Sequence, residues 1–401
     1  MATMPTPIGG PSPREDRIDW KAIAALVVML MMFVLAFVIS SGGIAINGEP
    51  RAFITASLEV VPFVMLAVLA YIGTRRNWGK VLTFIWLVFI IGGLALNNIL
   101  TVLLALLDGP LPTATSPTFP SLVPGGGVRL LIILVLSVAA MVLSAGGLIP
   151  GLRHWLSRFL PLDPRSFVHM IALVSIVAAT LLCVVPLIVL QAPPTLELIN
   201  NQPELGEAAT GSIGISSLVY RLVWAVPGAI LAVGYAVRRD LGEALRRLGF
   251  VRPTLAQLAI GVGLGALLVG VIFGLDPAIS WLWTQLGWPV TDGEAFNELL
   301  EPVLNAGVLG AVVLGVVAGV SEELAVRGVL QPRLGIVLSN LLFTAVHALQ
   351  YNWDALLVVF LLGLVFGVLR KRTNTTTSAI AHGVYDLILV LLQVFAPQLG
   401  Q

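Results

Sequence analysis

Residues 81–107 read VLTFIWLVFIIGGLALNNILTVLLALL, with no ionisable side chain among them. As a helix at 1.5 Å per residue the run is roughly 40 Å long, more than the ~30 Å hydrocarbon core of a bilayer. It is apolar all round and has no face to offer water. Only helices and closed barrels satisfy every backbone hydrogen bond inside lipid, and the alternating strands of a barrel would not give unbroken apolar runs. The stretch reads as a membrane-spanning helix.

The pattern recurs along the chain. Eleven spans are expected, near 22–39, 52–73, 81–107, 128–149, 167–190, 214–237, 255–275, 304–326, 336–350, 355–369 and 376–395. The ninth and tenth are short, so they should tilt little or sit partly within protein. The first follows a polar tail and lacks a small-residue cleavage site, which makes it a retained helix. Composition agrees. Of 401 residues, 58% are hydrophobic and 11% charged, with mean hydropathy +0.99, whereas soluble domains are about 25% charged. A net charge of +1 offers no basic face for phosphates, which excludes a nucleic-acid binder. The single cysteine, Cys183, permits no intrachain disulfide.

All but three of the 22 Lys and Arg fall in alternate connecting segments, which the positive-inside rule assigns to the cytoplasm. The exceptions are Arg51 and Arg129, in the opposite segments, and Arg221, inside a span. The expected fold class is therefore all-α: a polytopic helical protein of the cell membrane with about 11 transmembrane helices. Its N-terminus is expected in the cytoplasm and its C-terminus outside. Residues 1–20 read as a polar tail, 21–210 as an N-terminal region of about five helices, and 211–396 as a core of about six. The loop 191–213 divides the two, and 108–127 is a further outer loop. The loops 191–213 and 276–303 carry acids and no Lys or Arg. The basic stretch 238–253 is expected to form a short amphipathic helix on the inner leaflet.

Glycines recur at i, i+4 in the later spans: Gly261 and Gly265, Gly315 and Gly319, Gly363 and Gly367. Within apolar runs they serve close helix packing, not phosphate binding. Asn97 and Asn98 are expected to hydrogen-bond between helices. Glu59 and Arg221 lie at similar depth from the outer side and are expected to form a structural ion pair.

Ionisable groups inside spans cost about 2.5–3.5 kcal/mol at the bilayer centre on insertion scales, so each needs a reason. Three late groups stand out. In Ser321-Glu322-Glu323-Leu324-Ala325-Val326-Arg327, Glu323 and Arg327 have the spacing of a helical ion pair. That leaves Glu322 about 100° away on another face. Phe343 and His347 share a second helix face, and His382 and Asp386 a third. A lone membrane histidine is more often a packing residue than a catalyst. Two such histidines and a double glutamate in neighbouring spans are harder to explain as packing. His154 and His169 lie in or near a cytoplasmic loop and are assigned no role. Straight-helix depths put Glu322, His347 and His382 in the inner half of the bilayer, so a cytoplasm-facing site is expected. A carboxylate with two imidazoles can hold a divalent metal such as Zn2+, leaving one position for water. Alternatively, a buried glutamate acts directly on water while histidines donate to the oxyanion. Both routes lead to hydrolysis of an acyl or peptide bond in the membrane.

The order Glu322-Glu323-x-x-x-Arg327, Phe343-x-x-x-His347, His382-x-x-x-Asp386 resembles the CAAX protease and bacteriocin-processing (CPBP) family of intramembrane endopeptidases, related to the Ras-converting CAAX enzyme. The resemblance covers about 300–395. It implies that Glu322 and His347 activate water or bind metal, and that His382 and Asp386 bind metal or water or stabilise the oxyanion. Glu323 would pair with Arg327 to orient the site, with Phe343 beside them. Glu323 is thus counted with Glu322, His347, His382 and Asp386 as a catalytic candidate. Glu322, His347 and His382 are the candidate metal ligands. Asp386 stands where the eukaryotic prenyl-protein enzymes have asparagine, which points away from prenylated proteins towards peptide processing or bacteriocin immunity. The implied partners are a peptide or protein substrate and the lipid bilayer. Two other functions fit an apolar bundle with buried charges: a non-catalytic scaffold or immunity protein keeping the fold, and a transporter. The absence of an internal repeat gives the transporter no support.

Overall fold

The computed structural model describes residues 20–109, 111, 120–202 and 214–396. Most of the expected polar tail, and parts of the loops at 108–127 and 191–213, lie outside the described residues. The rest is an all-α polytopic protein. Nine helical stretches among the described residues are long and apolar enough to cross a membrane, or ten when the bent pair Glu49–Glu59 and Val61–Gly73 is taken as one.

The N-terminal helices are α1 (Trp20–Ser40), α2 (Glu49–Ala56), α3 (Val61–Gly73), α4 (Asn77–Ala105), α5 (Gly126–Ala145), α6 (Pro150–Leu156), α7 (Phe167–Leu190) and α8 (Pro194–Asn201). The span expected at 52–73 is bent by 44° between α2 and α3. Pro62 lies at the bend; it has no N–H to give the preceding turn, and its ring clashes with the carbonyl four residues back. Asn98 donates to the Leu182 carbonyl at 2.6 Å, joining α4 to α7. Asn97 is exposed on another face. Residues Leu107–Asp108 and Ser121–Leu122 form a two-residue antiparallel ladder.

The later helices are α9 (Ile215–Ala232), α10 (Leu241–Leu248), α11 (Leu255–Gln285), α12 (Gly293–Asn305), α13 (Gly307–Glu323), α14 (Gln331–His347), α15 (Trp353–Arg372) and α16 (Thr375–Phe395). On α9, Arg221 reaches Glu59 at 3.0 Å, with the Glu59 side chain half-exposed. Trp224 donates to the Phe53 carbonyl and Tyr220 to Glu49. The basic stretch forms α10, opened by a reciprocal Asp240–Glu243 capping box and closed by Gly249 in a left-handed conformation. Its last residue, Leu248, is fully buried, and the Leu248 carbonyl accepts from Thr375 at the start of α16. At the end of α3, Tyr71 accepts hydrogen bonds from Arg239 and Arg333, which ties the N-terminal helices to the later ones.

Two expectations change. The segment 276–303, expected as an outer loop, contains the end of α11 and most of α12. Asp292 caps α12 by accepting from the backbone of Glu294 and Ala295. The residues Gly307–His347 form one apolar helical stretch of 41 residues. A straight helix that long would span roughly 60 Å, twice the bilayer core. A π-helical turn, Leu324–Leu330, joins α13 to α14, and Gly335 breaks the stretch at φ 80° and ψ 174°. Only glycine takes that backbone without strain.

The later helices assemble around α16, which packs extensively against both α13 and α11. The glycine pairs allow this. A Cβ on Gly319 would lie 2.5 Å from the Ala379 carbonyl, and one on Gly265 2.5 Å from the Ala381 carbonyl. Bare backbone therefore faces α16 on both sides, at the turns that carry His382.

Candidate active site

The π-helical turn follows directly on Glu322 and Glu323. Such turns are frequent at functional sites, because the extra residue re-aims the side chains around it. Here the two glutamates point into different surroundings.

Glu323 is fully buried. Arg327 lies 3.4 Å from its Oε1, and the Ser378 hydroxyl donates to its Oε2 at 2.6 Å. His382 Nδ1 lies 3.1 Å from Oε1. Arg327 also donates to the Gly363 carbonyl at 2.9 Å, and its guanidinium sits 4.4 Å from the centre of the Phe343 ring. A buried carboxylate so surrounded has its desolvation offset from three directions. The π-helical turn and α16 thus meet α13 at this one side chain.

His382 is held between that carboxylate and a cavity. With Nδ1 towards Glu323, its Nε2 lies 3.4 Å from Asp386 Oδ2 and 3.9 Å from Glu322 Oε2. The ring stacks on Phe366 at 4.8 Å between centroids. His347 is oriented differently, with Nδ1 2.7 Å from the Phe343 carbonyl. Nδ1 is then the donor, and Nε2 is free for other partners. The His347 ring lies parallel to Tyr351 at 6.1 Å, and Tyr351 in turn packs on Phe296 of α12 at 4.7 Å. Burial, with the carboxylates of Asp386 and Glu322 nearby, pushes the Tyr351 phenol above its ordinary range.

Glu322, His347, His382 and Asp386 line one cavity of about 280 Å³. Its remaining walls are mostly apolar, from Phe273, Phe296, Leu300, Leu304, Leu314, Leu389, Val390 and Leu392. Glu323, Arg327 and Phe343 do not line it. They form the packed layer that holds His382 and His347. Glu323, which the sequence groups with the catalytic candidates, lies in this layer and not in the cavity lining. The Glu59–Arg221 pair, His154 and His169 also lie outside the cavity lining.

Among the described residues no group of three His, Cys, Asp or Glu side chains is arranged to hold a metal ion. Glu322, His347 and His382 nevertheless share the cavity, with Glu322 Oε2 and Asp386 Oδ2 at 3.9 and 3.4 Å from His382 Nε2.

Sequence reasoning missed Ser378, Phe366, Tyr351 and Phe296. Ser378 was legible, because it lies one turn before His382 on the same helix face. So was α12: an aspartate cap is followed by apolar residues at 296, 299, 300, 303 and 304, a helical period. Tyr351 and Phe366 carried no local signal.

The fold and this cavity define a polytopic membrane protein with a cluster of carboxylates and histidines held between its helices. Comparison with protein families finds the type II CAAX prenyl endopeptidase Rce1-like family, matched over residues 304–388. The matched segment contains every cavity carboxylate and histidine, and it agrees with the CPBP resemblance of the motifs. No curated protein and no solved structure matches the chain.

Proposed function

We propose that this protein is an intramembrane endopeptidase of the cell membrane in which Glu322 and His347 activate water against a peptide bond. The observation carrying the reading is that four ionisable side chains from three helices converge on one mostly apolar cavity, within the segment matching an endopeptidase family. The Oε2 atom of Glu322 is buried and finds no hydrogen-bond partner among the described residues. An unpartnered buried carboxylate oxygen costs stability unless it serves something else, and holding a nucleophilic water is such a use.

In this reading a Glu322 oxygen takes a proton from water as the water oxygen attacks the peptide carbonyl carbon. His347, its Nδ1–H committed to Phe343, presents Nε2 to the same water. His382, with both ring nitrogens protonated, spends Nδ1–H on Glu323 and offers Nε2–H to the developing oxyanion. Asp386 holds that ring in place. Glu322 then returns the proton to the leaving amine as the tetrahedral intermediate collapses. The apolar walls accept an apolar side chain beside the scissile bond and limit bulk water.

The test is Glu322→Gln in purified, detergent-solubilised protein, assayed on a library of fluorogenic peptides. The substitution keeps size and removes the base. Loss of roughly 10²–10⁴-fold in cleavage, the usual worth of a general base, with an unchanged melting curve supports the reading. Full activity in the variant overturns it.

A further inference from the structure

The cavity has a direction. On α16, His382 stands at its floor, while Gln393 lines it roughly 16 Å further along the helix at 1.5 Å per residue. On α13, Leu314 lines it roughly 12 Å from Glu322. Both distances run away from the basic segments at Arg327 and at Arg370–Arg372. The far end is walled by α12, which joins the end of α11 to the start of α13. Leu299 and Val303 of α12 are buried in the core beside Ala311 and Val390. Phe296, Leu300 and Leu304 face the cavity. The near end is filled. Glu323, Arg327, Ser378 and Phe366 are buried and bonded to one another between His382 and the basic segments.

Resting on the endopeptidase reading, we propose that the site is entered from the non-cytoplasmic face, beneath α12, by a peptide segment bearing an apolar side chain with neutral or cationic flanks. The charge of the outer surface supplies the second half of that statement. Residues 253–326 contain no Lys or Arg, while Glu298 and Glu301 of α12 are exposed and are not among the cavity-lining residues. An acidic outer surface favours cationic partners and repels acidic ones. Entry from the non-cytoplasmic face reverses the cytoplasm-facing site expected from depth counting, which locates residues along the bundle axis without regard to which end is packed shut.

The experiment reads access and chemistry separately. In a Cys183→Ala background, Gln393→Cys and Lys371→Cys are expressed singly, and intact cells are treated with a membrane-impermeant maleimide. Gln393→Cys is expected to be labelled from outside and Lys371→Cys only after the membrane is opened. If Gln393→Cys is labelled only after opening, or not at all, the proposal is overturned. Right-side-out and inverted vesicles are then compared on an impermeant peptide with a central leucine flanked by lysines, with Glu322→Gln as the blank. Cleavage confined to right-side-out vesicles supports the proposal, and cleavage confined to inverted vesicles overturns it. Outward labelling without Glu322-dependent cleavage in either orientation would overturn the proposed substrate and the endopeptidase reading together, leaving only the direction of the cavity standing.

Discussion

His382 Nδ1 lies 3.1 Å from Oε1 of Glu323, a carboxylate without solvent exposure that also holds Arg327 and Ser378. One ring nitrogen of the histidine is thereby committed to the packed interior, and the other is left to the cavity. In the proposed mechanism Glu323 is the orienting group.

Glu323→Gln should then lower kcat by roughly 10–100-fold, the range seen when an orienting partner is removed, with little change in KM. It also leaves Arg327 buried without its counter-charge, a loss of the kind that costs about 3–5 kcal/mol. The melting temperature should fall together with kcat. Glu322→Gln should lower kcat alone. Steady-state kinetics and thermal melts of the two variants separate the roles, and equal melts would refute the assignment.

Gly319 tests whether helix spacing sets the site. A Cβ there would meet the Ala379 carbonyl and the Gly383 backbone, both at under 3.0 Å, and backbone cannot step aside as a side chain can. Gly319→Ala should push α13 from α16, costing about 1–3 kcal/mol as overpacking does. Displacing Glu322 from His382 by ~1 Å would lose on the order of 10²-fold in activity. Gly270→Ala, on α11 with nothing within 4 Å of the added carbon, is the control and should be silent in both assays.

In the proposed mechanism Glu322 activates water directly, so chelators should leave the activity intact. Prolonged treatment with 1,10-phenanthroline, followed by peptide cleavage, checks it. Loss of activity restored by added zinc would mean that Glu322, His347 and His382 close into a ligand set when substrate or metal arrives.

The cap of α12 offers a way to alter the cavity wall without touching the polar cluster. Asp292→Ala removes the acceptor for the Glu294 and Ala295 backbone and should cost about 1 kcal/mol of helix stability. Because α12 supplies Phe296, Leu300 and Leu304 to the wall, KM should rise more than kcat falls. A change in kcat alone would mean that α12 does not contact substrate.

The sequence by itself determined that the chain is a membrane-spanning helical bundle. In lipid each backbone group must be paired within its own helix, so spans are a local property of apolar runs. It also supplied the motif residues from Glu322 to Asp386, since charge at membrane depth is conspicuous in so apolar a chain. Tertiary structure decided which of them face the cavity. Glu322 and Glu323 are adjacent in sequence, but the π-helical turn and α16 close around Glu323 and leave Glu322 lining the cavity. It also decided which end of the bundle is filled and that α12 walls the other. Those outcomes depend on contacts between residues as distant as Glu323 and Ser378, and helix period and hydropathy describe one helix at a time.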